Sequence, residues 1–248
     1  MLSVIVDEMR DPAWNLALDE ALVRVGTPLP MLRIWQNAPS VVVGRFQDVA
    51  RCADLASCAR DGVRVVRRAS GGGAVFTDSG TLNVTLVRAA PGRRCAEPWR
   101  PRSGARPDLD VLVATAVEGF GLPAAALRDG IMQVGRIRTA RATLTHVAVH
   151  VTPLQGQTYI APAGAPAAQR TLAEAGLEAS MDAVRAAVLC GVVDEYGIAA
   201  TRRPSERERA HRDHLYAVRY GDVTWHLAGS RSQRRGTRDR SDLRGVRG

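Results

Sequence analysis

Lysine is missing from this 248-residue chain: all 34 of its basic side chains are arginine. Any chemistry that needs a lysine amine from the chain itself is therefore excluded. Aromatic residues make up only 4% of the sequence, too few for a platform on which bases stack. The four cysteines, at 52, 58, 95 and 190, form no C-x-x-C pair, so each reads as a buried or incidental thiol rather than a zinc ligand or half of a disulfide. No apolar run is long enough to span a bilayer. The N-terminus "MLSVIVDEMRD" turns acidic and has no basic leader region, which argues against a secretory signal. A cytosolic protein with no membrane partner is the expectation.

The net charge is +9, but the last eighteen residues, "RSQRRGTRDRSDLRGVRG", hold seven Arg against two Asp. That tail has no apolar periodicity and is expected to be a disordered basic extension over 231–248. The remaining body carries about +4, and no nucleic-acid partner is expected for it. At 46% hydrophobic residues, residues 1–230 suffice for one sizeable core.

Asp11-Pro12 supplies an N-cap and an N1 proline for a helix that Gly26 stops. The runs "MLRIW" and "SVVVG" read as strands around the turn "QNAP", followed by a short helix over 50–60 and a strand "VRVVRR". "TLNVTLV" alternates as a half-buried strand would, with Asn83 and Thr85 on the polar side. Asp108 can cap a helix running to Gly121, and residues 131–152 alternate as one or two strands. "TLAE" and "SERE" are capping-box patterns that open helices near 172–176 and 206–217, with another helix at 181–196. Strands and helices interleave without a βαβ rhythm, so the expected class is an α+β sandwich.

The chemistry points to "RRASGGGAVFTDSGTLNVTL", residues 67–86. It is neither a P-loop, which needs lysine, nor the dinucleotide G-x-G-x-x-G. Three consecutive glycines bare their backbone N–H groups to a ligand, and two arginines arrive just before them, suited to a phosphate or carboxylate. An anion or acyl-adenylate site is the expectation. His146 and His150, ~13 Å apart on a strand, cannot share one ion. Asp78 and Asp129 are candidate hydrogen-bonding or metal-bridging carboxylates, and without G-x-S-x-G there is no support for hydrolase chemistry.

These residues carry a resemblance. "RRASGGGAVFTDSGTLN" resembles the signature of the lipoate–protein ligase A and octanoyltransferase group of the biotin–lipoate ligases, R-R-x-S/T-G-G-G-A-V-x-H-D-x-G-x-L-N. "WNLALDEAL" and "WQNAPSVVVGRFQ" are further matches, and "SERERAHRDHLYAVRYGDVTWHLAGS" is similar to the closing segment of the short archaeal-type ligase subunits. The resemblance spans about residues 3–230. It implies a mixed β-sheet packed with helices, the class II synthetase-like sandwich of a lipoate–protein ligase catalytic domain. It also implies a two-step reaction in which lipoate and ATP give lipoyl-adenylate, whose acyl group passes to a lysine of a lipoyl-acceptor protein. Acceptors of this kind are the 2-oxoacid dehydrogenase E2 and the glycine-cleavage H-type proteins, and a small accessory subunit is implied as a further partner.

Carried over by position, Arg68 contacts the nucleotide phosphate. Ser70, Gly71, Gly72, Gly73, Ala74, Val75, Phe76, Asp78 and Asn83 complete the ATP and lipoyl-adenylate site, with Gly71 and Gly72 along the acyl tunnel. The family's H-D is Thr77-Asp78 here. Asp129 matches the acidic residue before the catalytic strand and is the Mg²⁺ ligand implied. Arg136, in "VGRIRTARATLTH", stands where the family places its catalytic lysine in K-I-x-G; arginine keeps the charge on a wider planar fork. Two alternatives stay open: an octanoyl or lipoyl transferase using a cysteine, for which only Cys95 and Cys190 follow the loop, and a non-catalytic lipoyl- or acceptor-binding paralogue.

Overall fold

The computed structural model describes residues 1–26, 29–90, 106–152, 159–161, 169–197 and 199–229. Cys95 and the basic tail 231–248 lie outside them. Asp11 caps α1 (Pro12–Val25) by accepting from the N–H groups of Ala13 and Trp14, and Gly26 ends it at φ 65°. That conformation is one in which glycine meets no Cβ penalty.

Six strands form the main sheet: β1 (Leu2–Val6), β2 (Met31–Trp35), β6 (Thr81–Ala89), β7 (Met132–Arg138), β8 (Ala142–His150) and β9 (Ala199–Thr201), in the order β7-β8-β6-β2-β1-β9. β1 pairs in parallel with β2 and β9, and the remaining pairs are antiparallel. A second sheet holds β3 (Ser40–Val43), β4 (Arg64–Arg67) and β5 (Val75–Thr77), in the order β4-β3-β5. The glycine loop is the connection from β4 to β5.

Helix α1 lies between the sheets. Its Leu18 and Leu22 pack with Ile5, Val87 and Leu144 of the large sheet, while Ala13, Leu16, Ala17 and Ala21 pack with Val42, Val66 and Val75 of the small one. The opposite face of the large sheet is covered by α4 (Leu109–Glu118) and α6 (Met181–Tyr196), through Val113, Val117, Val184 and Val188, with the single turn α5 (Ala124–Ala126) between them in the chain. The α+β class expected from the sequence is the observed one.

Several local expectations change. The helix expected over 50–60 is two short ones, α2 (Val49–Cys52) and α3 (Leu55–Arg60), because Ala53 is extended and Asp54 caps a fresh start. β6 is not half-buried: Thr81 through Val87 are all buried, since helices cover both faces. Thr85 offsets its burial by donating to Asp19 at 2.7 Å. Residues 131–152 are two strands. Asp108 makes no cap bond to α4, pairing instead with Arg88 and Arg136, and the helix stops at Glu118. "TLAE" closes a capped turn and not a helix: Thr171 and Glu174 exchange bonds at 2.8 and 3.1 Å, and Gly176 turns the chain at φ 85°.

"SERE" does open a helix, α7 (Glu206–Leu215), with a complete capping box. The chain continues through a wide turn (Tyr216–Tyr220) into α8 (Val223–Ala228). Among the described residues no helix is long and apolar enough to cross a membrane.

Candidate functional site

Between the glycine loop, α1 and the inner face of β6, β8 and β7 lies a cavity of about 300 Å³. Leu16, Trp35, Val42, Val75, Met132 and Ala148 give it apolar walls; Arg68, Asn37, Thr77, Asn83, Gln133 and His146 add polar groups, and Gly72, Gly73 and Gly135 bring backbone close. Apolar walls with a few convergent polar groups suit a small ligand with a polar end.

Arg68 is the cation of the cavity. It is 8% exposed, and its guanidinium donates to the carbonyls of Val42 at 3.0 Å, Gly71 at 2.8 Å and Gly73 at 2.8 Å. No carboxylate pairs with it among the described residues. Burial pushes its pKa down to about 10, so it stays charged near neutrality while lacking a compensating anion. Gly72, at φ 99°, leaves room for this fork: a Cβ there would stand 2.8 Å from Nη2.

Asn83 faces the cavity beside it. Its Oδ1 accepts from His146 Nε2 at 3.1 Å, while its Nδ2, in a side chain 1% exposed, has no protein partner. A buried amide donor left without a partner costs about 1–3 kcal/mol unless something accepts from it. His146 stacks on Trp35 with ring centroids 5.6 Å apart, and burial pushes its pKa down to about 4, so it is neutral near pH 7. Behind Trp35 a buried ion cluster fixes the wall: Arg33 bonds Asp19 at 2.6 Å and Asp7 at 2.9 Å, and its guanidinium lies 4.8 Å from the Trp35 ring.

The structure brings Arg68, Gly72, Gly73, Val75 and Asn83 to this cavity. Ser70 is adjacent: its Oγ stands 2.8 Å from where a Gly135 Cβ would be, so the missing side chain lets β7 close on the loop. Gly71 contributes the carbonyl that Arg68 grips. The other named residues point elsewhere. Ala74 and Phe76 belong to the cluster outside the small sheet, where Phe76 stacks on Tyr159 at 5.8 Å. Asp78 accepts from the Gly80 N–H at 2.7 Å, shaping the turn into β6; burial pushes its carboxyl pKa upward.

Arg136 does not line the cavity. Strand alternation turns Gly135 to the inner face, opposite His146, and Arg136 to the outer one, where it pairs with Asp110 at 3.1 Å. Asp129 is an exposed turn residue 3.3 Å from Arg170. It does not line the cavity, and among the described residues no group of three or more His, Cys, Asp or Glu could hold a metal by protein ligands alone. Cys52 and Cys58 are buried, burial pushing both thiols up, and Cys190 is exposed on α6; none lines the cavity.

Trp35, Asn37, Gln133 and Gly135 are cavity residues that the sequence reading left out, and His146, weighed there only as half of a metal pair, lines the cavity with them. Alternation told which residues share a face of β8, but not that this face meets the glycine loop.

The comparisons with known proteins bear out the family resemblance. Residues 11–98 match the model of the lipoyl protein ligase A/B catalytic domain. A provisionally named lipoate-protein ligase A of Aeropyrum pernix is 43% identical over 77 residues, 30% of this chain; the match spans 29% of that relative's length. Solved structures share the fold over 91% of the chain. A provisionally named lipoate protein ligase of T. acidophilum with bound lipoic acid is 22% identical, covered over 98% of its length, with a TM-score of 0.74. A lipoate-protein ligase A bound with ATP gives 21%, 98% and 0.74. The bipartite lipoate protein ligase of Thermoplasma acidophilum, studied with its E2 lipoyl domain, gives 21%, 95% and 0.72.

Proposed function

Because residues 11–98 carry the signature of the lipoyl protein ligase A/B catalytic domain, we propose that this chain activates lipoate with ATP and passes the lipoyl group to a lysine of an acceptor protein. The observation that carries the reading is the buried, carboxylate-free Arg68 beside the unpartnered Nδ2 of Asn83. Together they place a buried cation and a free donor on one cavity, the arrangement that favours a carboxylate or phosphate.

In the first step a lipoate carboxylate oxygen attacks the α-phosphorus of ATP and pyrophosphate leaves. The Arg68 fork offsets the charge on the shared phosphate and carboxylate oxygens, and the apolar wall of Leu16, Val42, Val75 and Ala148 takes the acyl chain. Ser70, Gly71, Gly72 and Gly73 present the loop along the adenylate. In the second step the acceptor's lysine amine attacks the acyl carbon, the amine gives up a proton and AMP leaves. That lysine comes from the partner, so its absence from this chain is no obstacle.

Acceptors of the E2 or H type fit this chemistry, and a small accessory subunit would parallel the bipartite T. acidophilum ligase. Arg136 and Asp129 have no part in the proposal, since neither lines the cavity.

The test is lipoate-dependent pyrophosphate release with magnesium ATP. Removing a buried charge-stabilising donor typically lowers rate ~10²–10³-fold, and Arg68→Ala is expected to show a loss of that order. Wild-type protein that binds lipoate but releases no pyrophosphate would refute adenylation and leave a binding protein.

A further inference from the structure

We propose that Arg67, the neighbour of the cavity cation, is a positioning residue that couples the C-terminal helix α8 to the loop lining the cavity. Arg67 is 1% exposed, and among the described residues no carboxylate pairs with it. Its guanidinium collects backbone carbonyls from two segments at opposite ends of the chain. Nη1 donates to Gly44, Arg45 and Gln47 at 2.9, 3.1 and 2.8 Å. Nε donates to Trp225 at 3.1 Å and Nη2 to Leu227 at 3.2 Å.

The Arg67 backbone is held by the same helix. Its N–H donates to His226 Nδ1 at 3.0 Å, and the Trp225 indole N–H donates to its carbonyl at 3.2 Å. Because a backbone N–H only donates, the His226 proton sits on Nε2, which donates to the Tyr220 carbonyl at 2.8 Å. Gly229 closes against the guanidinium at φ 61°; a Cβ there would stand 3.0 Å from Nε.

The turn that Arg67 grips is the one on which the glycine loop rests. The Arg45 N–H donates to the Ser70 carbonyl at 2.9 Å, and a Cβ built on Gly44 would run into the Gly72 carbonyl oxygen. Gly72 lines the cavity. A planar fork can meet five carbonyls from two directions, three of them sharing the two N–H groups of Nη1, whereas a lysine ammonium, with three donors on one atom, cannot reach them all. So α8, the 44–47 turn and the 70–73 loop are joined through one side chain, and release of the helix is expected to loosen the loop.

This rests on the lipoate-ligase reading for its kinetic test but not for its structural one. Amide hydrogen exchange on the full chain without ligand compares wild type with Arg67→Lys and Trp225→Phe. In Arg67→Lys, amides of 223–228, 44–47 and 70–73 are expected to exchange about tenfold faster together, while those of β6 and β8 keep their rates. Trp225→Phe keeps the fork and removes one bond; about threefold at the same three segments is expected, and this variant carries the test should Arg67→Lys not fold. Faster exchange in α8 alone, with 44–47 and 70–73 unchanged, overturns the proposal.

Kinetically, Arg67→Lys is expected to raise KM for lipoate or ATP about tenfold with kcat within about threefold. Loss of kcat at constant KM would show only a smaller folded fraction and overturn the positioning role. A wild type that binds no lipoate would refute the functional reading and leave the exchange result to decide this one.

Discussion

Acidification tests the interior at His150. This residue is 0% exposed, and its surroundings fix its protonation. Gln169 is pinned by the Phe76 backbone, accepting from its N–H at 2.8 Å and donating to its carbonyl at 3.0 Å. The Gln169 amide nitrogen therefore donates to His150 Nε2, at 2.8 Å, and the ring's proton sits on Nδ1, which donates to Thr81 at 3.0 Å. No acidic group faces the ring through these bonds, and burial pushes its pKa from 6.5 to about 4.

The unfolded chain binds a proton near pH 6.5 that the folded one refuses until about pH 4. Stability is therefore lost as pH falls through that window, by about 2 kcal/mol at pH 5 and about 3 kcal/mol below pH 4. Urea unfolding of wild type and His150→Gln at pH 7, 6 and 5 checks this. Glutamine never charges, so whatever the variant costs at pH 7, its further loss on going to pH 5 is expected to be smaller than that of wild type by about 2 kcal/mol. Equal losses in the two proteins would refute the assignment of a buried neutral imidazole.

Three further outcomes follow from packing and placement. Leu22, 0% exposed between α1 and the large sheet, should cost about 2–5 kcal/mol as Leu22→Ala in urea unfolding. Gly44→Ala pushes a methyl into the Gly72 carbonyl, so lipoate affinity measured by calorimetry should fall about tenfold or more. Arg136→Ala removes a half-exposed ion pair with Asp110. It should cost about 1 kcal/mol or less and leave lipoate-dependent pyrophosphate release within about twofold of wild type. A hundredfold loss of that release would restore a catalytic role to Arg136.

Local signals in the sequence, those whose partners lie within one turn or one strand, carried through to the structure. Asp11-Pro12 and Gly26 bound α1, "SERE" opened α7, and the alternating runs became strands. The same locality explains the misses. "TLAE" made its reciprocal bonds, yet Gly176 ended the turn before a helix could form. Asn83 and Thr85 alternated as if one face of β6 met water, because nothing nearby records that α1 lies across it.

The sequence by itself determined the α+β class, the first helix and the loop of bare glycines after two arginines, since these depend on backbone geometry and residue chemistry over a few positions. Only the tertiary structure decided which arginine does what. Arg67 is the last residue of β4 and Arg68 the first of the loop beyond it, and their side chains part there, so one grips α8 and the other enters the cavity. Strand alternation set Gly135 inward against Ser70 and Arg136 outward to Asp110. A side chain's role here follows from the face it occupies and from what packs against that face, and residues distant in the chain supply the packing.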